Sequence, residues 1–240
     1  DHRDIHSFPT RRSSDLGNKL IHDTFEALQY YSLKASNKLA KELGACPLFS
    51  ETQYAKGIMP IDSYKKDVDA FCSPELKLDW TTLRTEIVKT GLRNSTLTAL
   101  MPCESSSQIS NSTNGIEPPR GYVAVKQSKD GILKQIVPDF ENLKSQYELL
   151  WDIKGNEGYL QLCAIMQKFV DQSISTNTHY DPSQFEGNRV PMKLFLMDLL
   201  KAYKYGIKTL YYHTTRDGAT DEQNNSKPGD DDCADGVCKL

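Results

Sequence analysis

The 240-residue sequence has no apolar run near the ~18 consecutive residues that a membrane-spanning helix needs. Its N-terminus shows no basic segment leading into an apolar stretch and a small-residue cleavage site. A secretory leader is therefore not expected, and the cytoplasm is the expected compartment. A dominant charge of one sign is lacking too. With 29 Lys+Arg against 32 Asp+Glu the formal net charge is −3, too weak a field to draw the chain to nucleic acid or an anionic membrane. Six cysteines are too few for a disulfide scaffold. No second cysteine pair stands at the short spacing of a zinc knuckle, so no metal site is expected. The three sequons beginning at Asn94, Asn111 and Asn224 then read as chance matches. No internal repeat is found. With 38% hydrophobic and 25% charged residues, a core can form only if a fair share of the chain is loop or tail.

The chain divides into three parts. Residues 1–16 combine His2, Arg3, His6, Pro9, Arg11 and Arg12 with no hydrophobic period, and the string from Phe8 to Leu16 resembles a translated sequencing adapter. This arm is expected to be non-native, with the true protein beginning further upstream. Residues 17–215 carry the folded part. From Asn18 a helical period places Ile21, Phe25, Leu28, Ala35, Leu39 and Leu43 on one stripe, closed by Gly44 and Pro47. Short helices are expected near 64–70 and 79–90, and strands at 97–101, 121–126, 131–137 and 207–213. Helical periods return at Phe140, Leu143, Tyr147 and Leu150, again at 162–170, and after Pro191 through Tyr203 to Gly206. Strands alternating with helices predict an α/β arrangement with parallel strands. Residues 216–240, rich in Asp, Asn and Gly, cannot bury a core and are expected to form a mobile tail.

Three constellations can carry chemistry. Pro102, Cys103, Glu104, Ser105 and Ser106, with Ser107, follow a strand and precede a polar segment that can start a helix. Backbone N–H groups and small hydroxyls there suit a phosphate, and equally suit an ordinary capped loop. Tyr211 and Tyr212 end a strand and could relay an electron together with a proton. The plain alternative is strand propensity, and neighbouring strand residues point to opposite faces. Cys233 and Cys238 in the acidic tail fit either a tethered dithiol that exchanges with a disulfide elsewhere or a chance pair.

Taken together these features resemble the large, catalytic subunit of class I ribonucleotide reductases. The resemblance is carried by Gly91-Leu-Arg-Asn-Ser-Thr-Leu-Thr-Ala-Leu-Met-Pro102, Ser106-Ser-Gln-Ile-Ser-Asn111 and Thr113-Asn-Gly-Ile-Glu-Pro-Pro-Arg-Gly121. It continues through Lys129-Asp-Gly131, Gly158-Tyr-Leu160, Met166-Gln-Lys168, Asp171-Gln-Ser173, Lys208-Thr-Leu-Tyr-Tyr212 and Thr215-Arg-Asp-Gly218.

That resemblance implies the C-terminal part of a ten-stranded α/β barrel that reduces ribonucleoside diphosphates to their 2′-deoxy forms by thiyl-radical chemistry. Residues 102–106 would hold the substrate phosphates, although Cys103 replaces the usual Ser or Thr and a thiol is the weaker donor. Tyr211 and Tyr212 would carry the radical, which originates in a dimetal small subunit. Their placement is expected where the strand ends and the backbone turns. Cys233 and Cys238 would re-reduce the active-site disulfide and be restored by thioredoxin or glutaredoxin.

The implied assembly is a large-subunit homodimer with the small subunit. No cofactor is expected on this chain, since ATP and deoxynucleotide effectors would bind parts outside it. The thiyl cysteine, its glutamate and asparagine, and the buried redox cysteines would also lie outside it. No role falls to Cys46, Cys72 or Cys163, and the chain alone is expected to be inactive. It is also expected to aggregate through open strand edges. A free-standing phosphate-binding fragment and a thiol–disulfide carrier are the alternative functions.

Overall fold

The computed structural model describes residues 15–103, 106–113, 115–128 and 131–216. Nearly all of the expected arm and tail lies outside the described residues.

Helix α1 (Asp15–Leu43) runs for 29 residues, about 43 Å at 1.5 Å per residue. It stops at Gly44, whose φ of +83° is open to glycine, and whose N–H closes the last turn on the Ala40 carbonyl at 2.9 Å. The helix is where the periodicity predicts, but its buried face is not the expected stripe. Leu28, Leu39 and Leu43 are exposed, whereas Asn18, His22, Glu26, Gln29, Ser36 and Asn37 are buried beside Ile21, Leu33 and Ala40. This polar face can be buried because irregular segments bring partners to it. Glu26 Oε1 accepts the N–H groups of Lys77 (2.8 Å) and Leu78 (2.9 Å) and the Trp80 indole N–H (3.1 Å). Asn37 Nδ2 donates to Thr90 Oγ1 (2.7 Å) and the Gly91 carbonyl (2.8 Å). A hydropathy count sees none of these bonds.

The segment wrapped on α1 contains α2 (Pro60–Ser63), a 3-10 turn (Lys66–Ala70) and α3 (Trp80–Thr90). Asp79 caps α3 by accepting the Thr82 N–H at 3.0 Å. Gly91 ends α3 at φ +82°, and a Cβ there would meet Ala45 Cβ at 2.5 Å. Tyr30, Leu33, Trp80, Leu83, Ile87 and Leu92 form one apolar cluster.

A four-residue helix, α4 (Ser106–Ile109), precedes an antiparallel hairpin of β1 (Val123–Ser128) and β2 (Gly131–Ile136); β2 falls within the expected 131–137, and β1 begins and ends two residues later than the expected 121–126. The helix expected across 140–150 is only α5 (Phe140–Leu143) followed by separate 3-10 turns. At Tyr147 the backbone is extended, and its hydroxyl donates to the Pro138 carbonyl at 2.7 Å.

Helix α6 (Glu157–Gln167) is the centre of the second apolar cluster, with Leu160, Cys163 and Ile165 fully enclosed. Each buried Leu or Ile contributes about 1.5–3 kcal/mol. After α6 come β3 (Thr176–Tyr180), α7 (Met192–Lys204) and β4 (Leu210–Thr215). β3 and β4 pair in parallel, α7 being the crossover. The sequence reading missed β3 because Thr176, Asn177, Thr178 and His179 carry little apolar signal, although Thr176 and Thr178 are fully buried. β4 starts three residues later than expected.

A parallel bridge, Leu100↔Ile174, adds the 97–101 segment on the other edge of β3. The described residues thus hold three parallel extended segments and no closed barrel. On α7 the apolar residues Met192, Leu196, Leu199, Leu200 and Tyr203 face outward, while Asp198 and Ala202 face inward. Asp198 accepts from Asn156 Nδ2 (2.8 Å) and the Tyr180 hydroxyl (3.2 Å). No helix among the described residues is long and apolar enough to cross a membrane.

Asp171, between α6 and β3, ties these segments together. Its Oδ2 accepts the N–H groups of Leu97 (2.7 Å) and Thr98 (3.2 Å). Thr98 Oγ1 accepts the Asp171 N–H at 3.0 Å and donates to Gln29 at 2.8 Å. Asp171 Oδ1 receives Gln29 Nε2 and the Tyr54 hydroxyl. Just before β4, Lys208 Nζ reaches the carbonyls of Val170, Asp171 and Gln172.

These contacts set two expectations for stability. Asp171→Ala strands two backbone N–H groups, so the free energy of unfolding should drop by about 2–3 kcal/mol in a denaturant titration followed by tryptophan fluorescence. Lys168, fully buried, donates to His22 Nε2 at 3.0 Å, which leaves the imidazole proton on Nδ1 facing Asp23. Burial first, and the Lys168 ammonium second, hold the His22 pKa below its ordinary 6.5. The unfolded chain therefore takes up this proton first as the pH falls. The stability held by neutral His22 is complete above about pH 6.5 and is lost on acidification through its lowered folded value. His22→Gln should flatten the slope of stability on acidification below about pH 6.5.

Candidate functional site

The 97–101 segment, β3 and β4 run parallel, so the loops leaving their carboxyl ends gather on one side of the sheet. In open parallel sheets ligands bind at that carboxyl end. Residues 102–107 leave the first segment there. Cys103 is exposed, its thiol directed at the Met101 carbonyl (3.4 Å), and its own carbonyl accepts the Ser107 N–H at 2.9 Å. That bond starts α4 at Ser106, two residues earlier than the polar run at 108–113 suggests. Pro102 is half-buried, Ser106 exposed and Ser107 buried. Glu104 and Ser105 lie outside the described residues. The loop is braced from the hairpin, where Gln135 Nε2 reaches Asn111 Oδ1 (3.1 Å) and the Ser112 carbonyl (3.3 Å).

Tyr211 and Tyr212 sit side by side near the start of β4, 50% and 58% exposed, with ring centroids 4.0 Å apart and planes tilted by 49°. Their placement differs from the expectation that the strand ends and turns there, since β4 continues to Thr215. The register explains the contact. Thr176 pairs with Leu210 but Thr178 pairs with His213, so Asn177 alone stands opposite both tyrosines. This is a β-bulge. One extra residue breaks the strict alternation of side chains, so adjacent tyrosines can share a face.

Asn177 occupies the bulge. Its Oδ1 accepts the Tyr212 N–H at 3.0 Å, and its Nδ2 donates to Glu117 Oε1. The Asn177 N–H is itself accepted by the buried Tyr159 hydroxyl at 3.3 Å. A bulge leaves ladder groups without strand partners. At the exposed Tyr212 N–H, Asn177 supplies the missing acceptor. Burial, more than any neighbouring charge, pushes the Tyr159 phenol well above its ordinary range, so it stays protonated as a hydrogen-bonding post. Sequence reasoning singled out neither Asn177 nor Glu117, since Thr113-Asn-Gly-Ile-Glu-Pro-Pro served only as a family signature. Beyond the pair, His213 packs on Phe195 at 4.6 Å and its Nδ1 lies 2.6 Å from Thr178 Oγ1.

Cys233 and Cys238 lie outside the described residues. Cys46, Cys72, Cys103 and Cys163 are not disulfide-linked. His22, Asp23 and Glu26 bring one potential metal-ligand atom each within 4.8 Å of one another. Glu26 Oε1 is already engaged by three N–H groups and His22 Nε2 by Lys168. Their arrangement serves the packing of α1.

A family model described as "Ribonucleotide reductase, barrel domain" matches residues 11–213. Over 232 residues the chain is 64% identical to ribonucleoside-diphosphate reductase 1 subunit alpha of Salmonella typhimurium, and 64% identical to that of Escherichia coli. It is 65% identical over 230 residues to the subunit alpha of Haemophilus influenzae. Each alignment covers 96% of this chain but 30% of the relative, so the chain spans about a third of the length of the curated relatives it matches. The chain belongs to the ribonucleotide reductase barrel-domain family.

Proposed function

We propose that this chain is the C-terminal part of the catalytic subunit of a ribonucleoside-diphosphate reductase. In this reading it supplies the substrate-phosphate loop, a tyrosine relay and a tail dithiol. The observation that carries it is the close, tilted pair Tyr211–Tyr212 held in the bulge of β4.

Each part has a chemical task. With ring centroids 4.0 Å apart the two phenols are close enough for an electron to pass between them, the proton moving with it in this reading. The donor Tyr–OH becomes Tyr–O• and the acceptor Tyr–O• becomes Tyr–OH, so no atom is gained or lost. The radical enters from the partner small subunit, whose dimetal centre generates it, and leaves toward a cysteine outside this chain. The loop of Pro102, Cys103, Glu104, Ser105 and Ser106 receives the diphosphate at the carboxyl end of the parallel segments, with Ser106 at the start of α4. The exposed Cys103 thiol is a weaker donor than a hydroxyl, so backbone N–H groups carry more of the contact there.

Reduction replaces the ribose 2′-hydroxyl by hydrogen and releases water. The two electrons come from a thiol pair that becomes a disulfide. The Cys233 and Cys238 dithiol attacks that disulfide by thiolate exchange, becomes oxidised itself, and is reduced by thioredoxin or glutaredoxin. The working assembly is a cytoplasmic large-subunit homodimer with the small subunit. This segment itself holds no cofactor.

In the complete subunit, assembled with its small subunit, Tyr211→Phe and Tyr212→Phe should each lower turnover by roughly a hundredfold or more, a typical lower cost of removing a proton-transfer group. Substrate affinity should stay unchanged. Near-normal turnover in either variant would defeat the relay. Cys238→Ser should abolish thioredoxin-driven turnover yet retain it with a small dithiol that enters the site directly. Failure of that rescue would count against the shuttle.

A further inference from the structure

A relay through two phenols depends on the distance between them, because electron transfer falls off exponentially with separation. In β4 that distance is set by the backbone. Tyr211 and Tyr212 are adjacent, and only the extra residue in the strand lets them share a face. A one-residue slip that restored regular pairing would send the two side chains to opposite faces. Something must hold the bulge in register. The 3.0 Å bond from the Tyr212 N–H to Asn177 Oδ1 is placed to do so.

We propose that Asn177 is a positioning residue for transfer between Tyr211 and Tyr212, and that Glu117 fixes the orientation of its amide. The inference rests on the relay reading above. An asparagine amide can flip, and only one of its two orientations offers Tyr212 an acceptor. Glu117 decides between them. Its carboxylate accepts and cannot donate, so it takes Nδ2 and leaves Oδ1 for the Tyr212 N–H. The flipped amide would set donor against donor at Tyr212 and acceptor against acceptor at Glu117. The Tyr159 hydroxyl, bonded to the Asn177 N–H, holds the backbone from the other side. Glu117, Asn177 and the bulge thus form one chain of hydrogen bonds ending at the tyrosine pair, and Asn177 and Glu117 need not touch the substrate.

The test uses the complete subunit assembled with its radical-supplying partner, measuring kcat, KM for the ribonucleoside diphosphate and the thermal midpoint. Asn177→Ala should lower kcat about tenfold or more while KM and the midpoint hold, the signature of a lost step in turnover rather than of lost binding or folding. Asn177→Asp keeps the shape but faces one carboxylate with another, and should also be slow. Adding Glu117→Gln to Asn177→Asp restores a donor between the two positions and an acceptor at Tyr212, so the double variant should recover most of kcat.

Wild-type kcat in Asn177→Ala, or in Asn177→Asp, would overturn the positioning role, as would a parallel fall of kcat, substrate affinity and thermal midpoint. Should Asn177→Ala not fold, Asn177→Asp and its rescue by Glu117→Gln decide alone. The two readings fail separately. Normal turnover in Tyr212→Phe removes the relay itself. A slow Tyr212→Phe beside a fast Asn177→Ala removes only the role of Asn177.

Discussion

The Asp171 carboxylate is the constraint on which the arrangement of the site depends. It stands where α6 ends and β3 is about to begin, and reaches the start of the 97–101 segment, helix α1 and Tyr54 at once. Lys208 adds the approach to β4 by capping the carbonyls around the same point. Three parallel segments are thus joined near their beginnings. Their carboxyl ends, the first of which leads into residues 102–107, therefore come out on the same side, while the tyrosine pair sits near the start of β4. A carboxylate can do this because it offers several lone pairs to N–H and O–H donors at once, where an apolar contact would set neither direction nor register.

The same logic recurs wherever the fold meets its functional end. Buried and half-buried polar side chains hold irregular backbone in place, and apolar packing supplies the bulk. Glu26 gathers two N–H groups from the segment before α3 and a third from Trp80, the first residue of α3. Asn156 and Asp198 fasten α7 to β3. Asn177 joins β3 to the bulge in β4. In each case the partner lies 18 or more residues away. Bonds of this kind are directional and fail if one partner moves, so they fix register where hydrophobic contacts would tolerate a shift.

How much of this can be read from the chain varies with the signal. Gly44 and Gly206 end helices where expected, Gly91 closes the helix expected near 79–90, and the two strands expected at 121–137 are found, the first shifted by two residues. Those are local effects, set by φ and by hydrogen bonds a few residues apart. The buried face of α1 escapes a hydropathy reading because it includes Asn18, Glu26, Gln29 and Asn37, which count as polar until their distant partners are known. β3 escapes it for the same reason. The outward apolar face of α7 reverses the usual inference, since Asp198 points inward to partners on β3 and on the approach to α6.

The tyrosine pair marks the boundary most clearly. In the sequence, Tyr211 and Tyr212 are adjacent phenols in a strand, and regular alternation argues against their meeting. The chain determined that the two phenols are adjacent, that a strand would carry them, and, through long shared motifs, to which family it belongs. Only the tertiary structure decided that their rings meet. The cause is a register shift between β3 and β4, held by Asn177 and Glu117, which lie 35 and 95 residues before Tyr212. Local propensity is written into neighbouring residues and can be read there. Register is a property of two strands at once, and it exists only when both are in place.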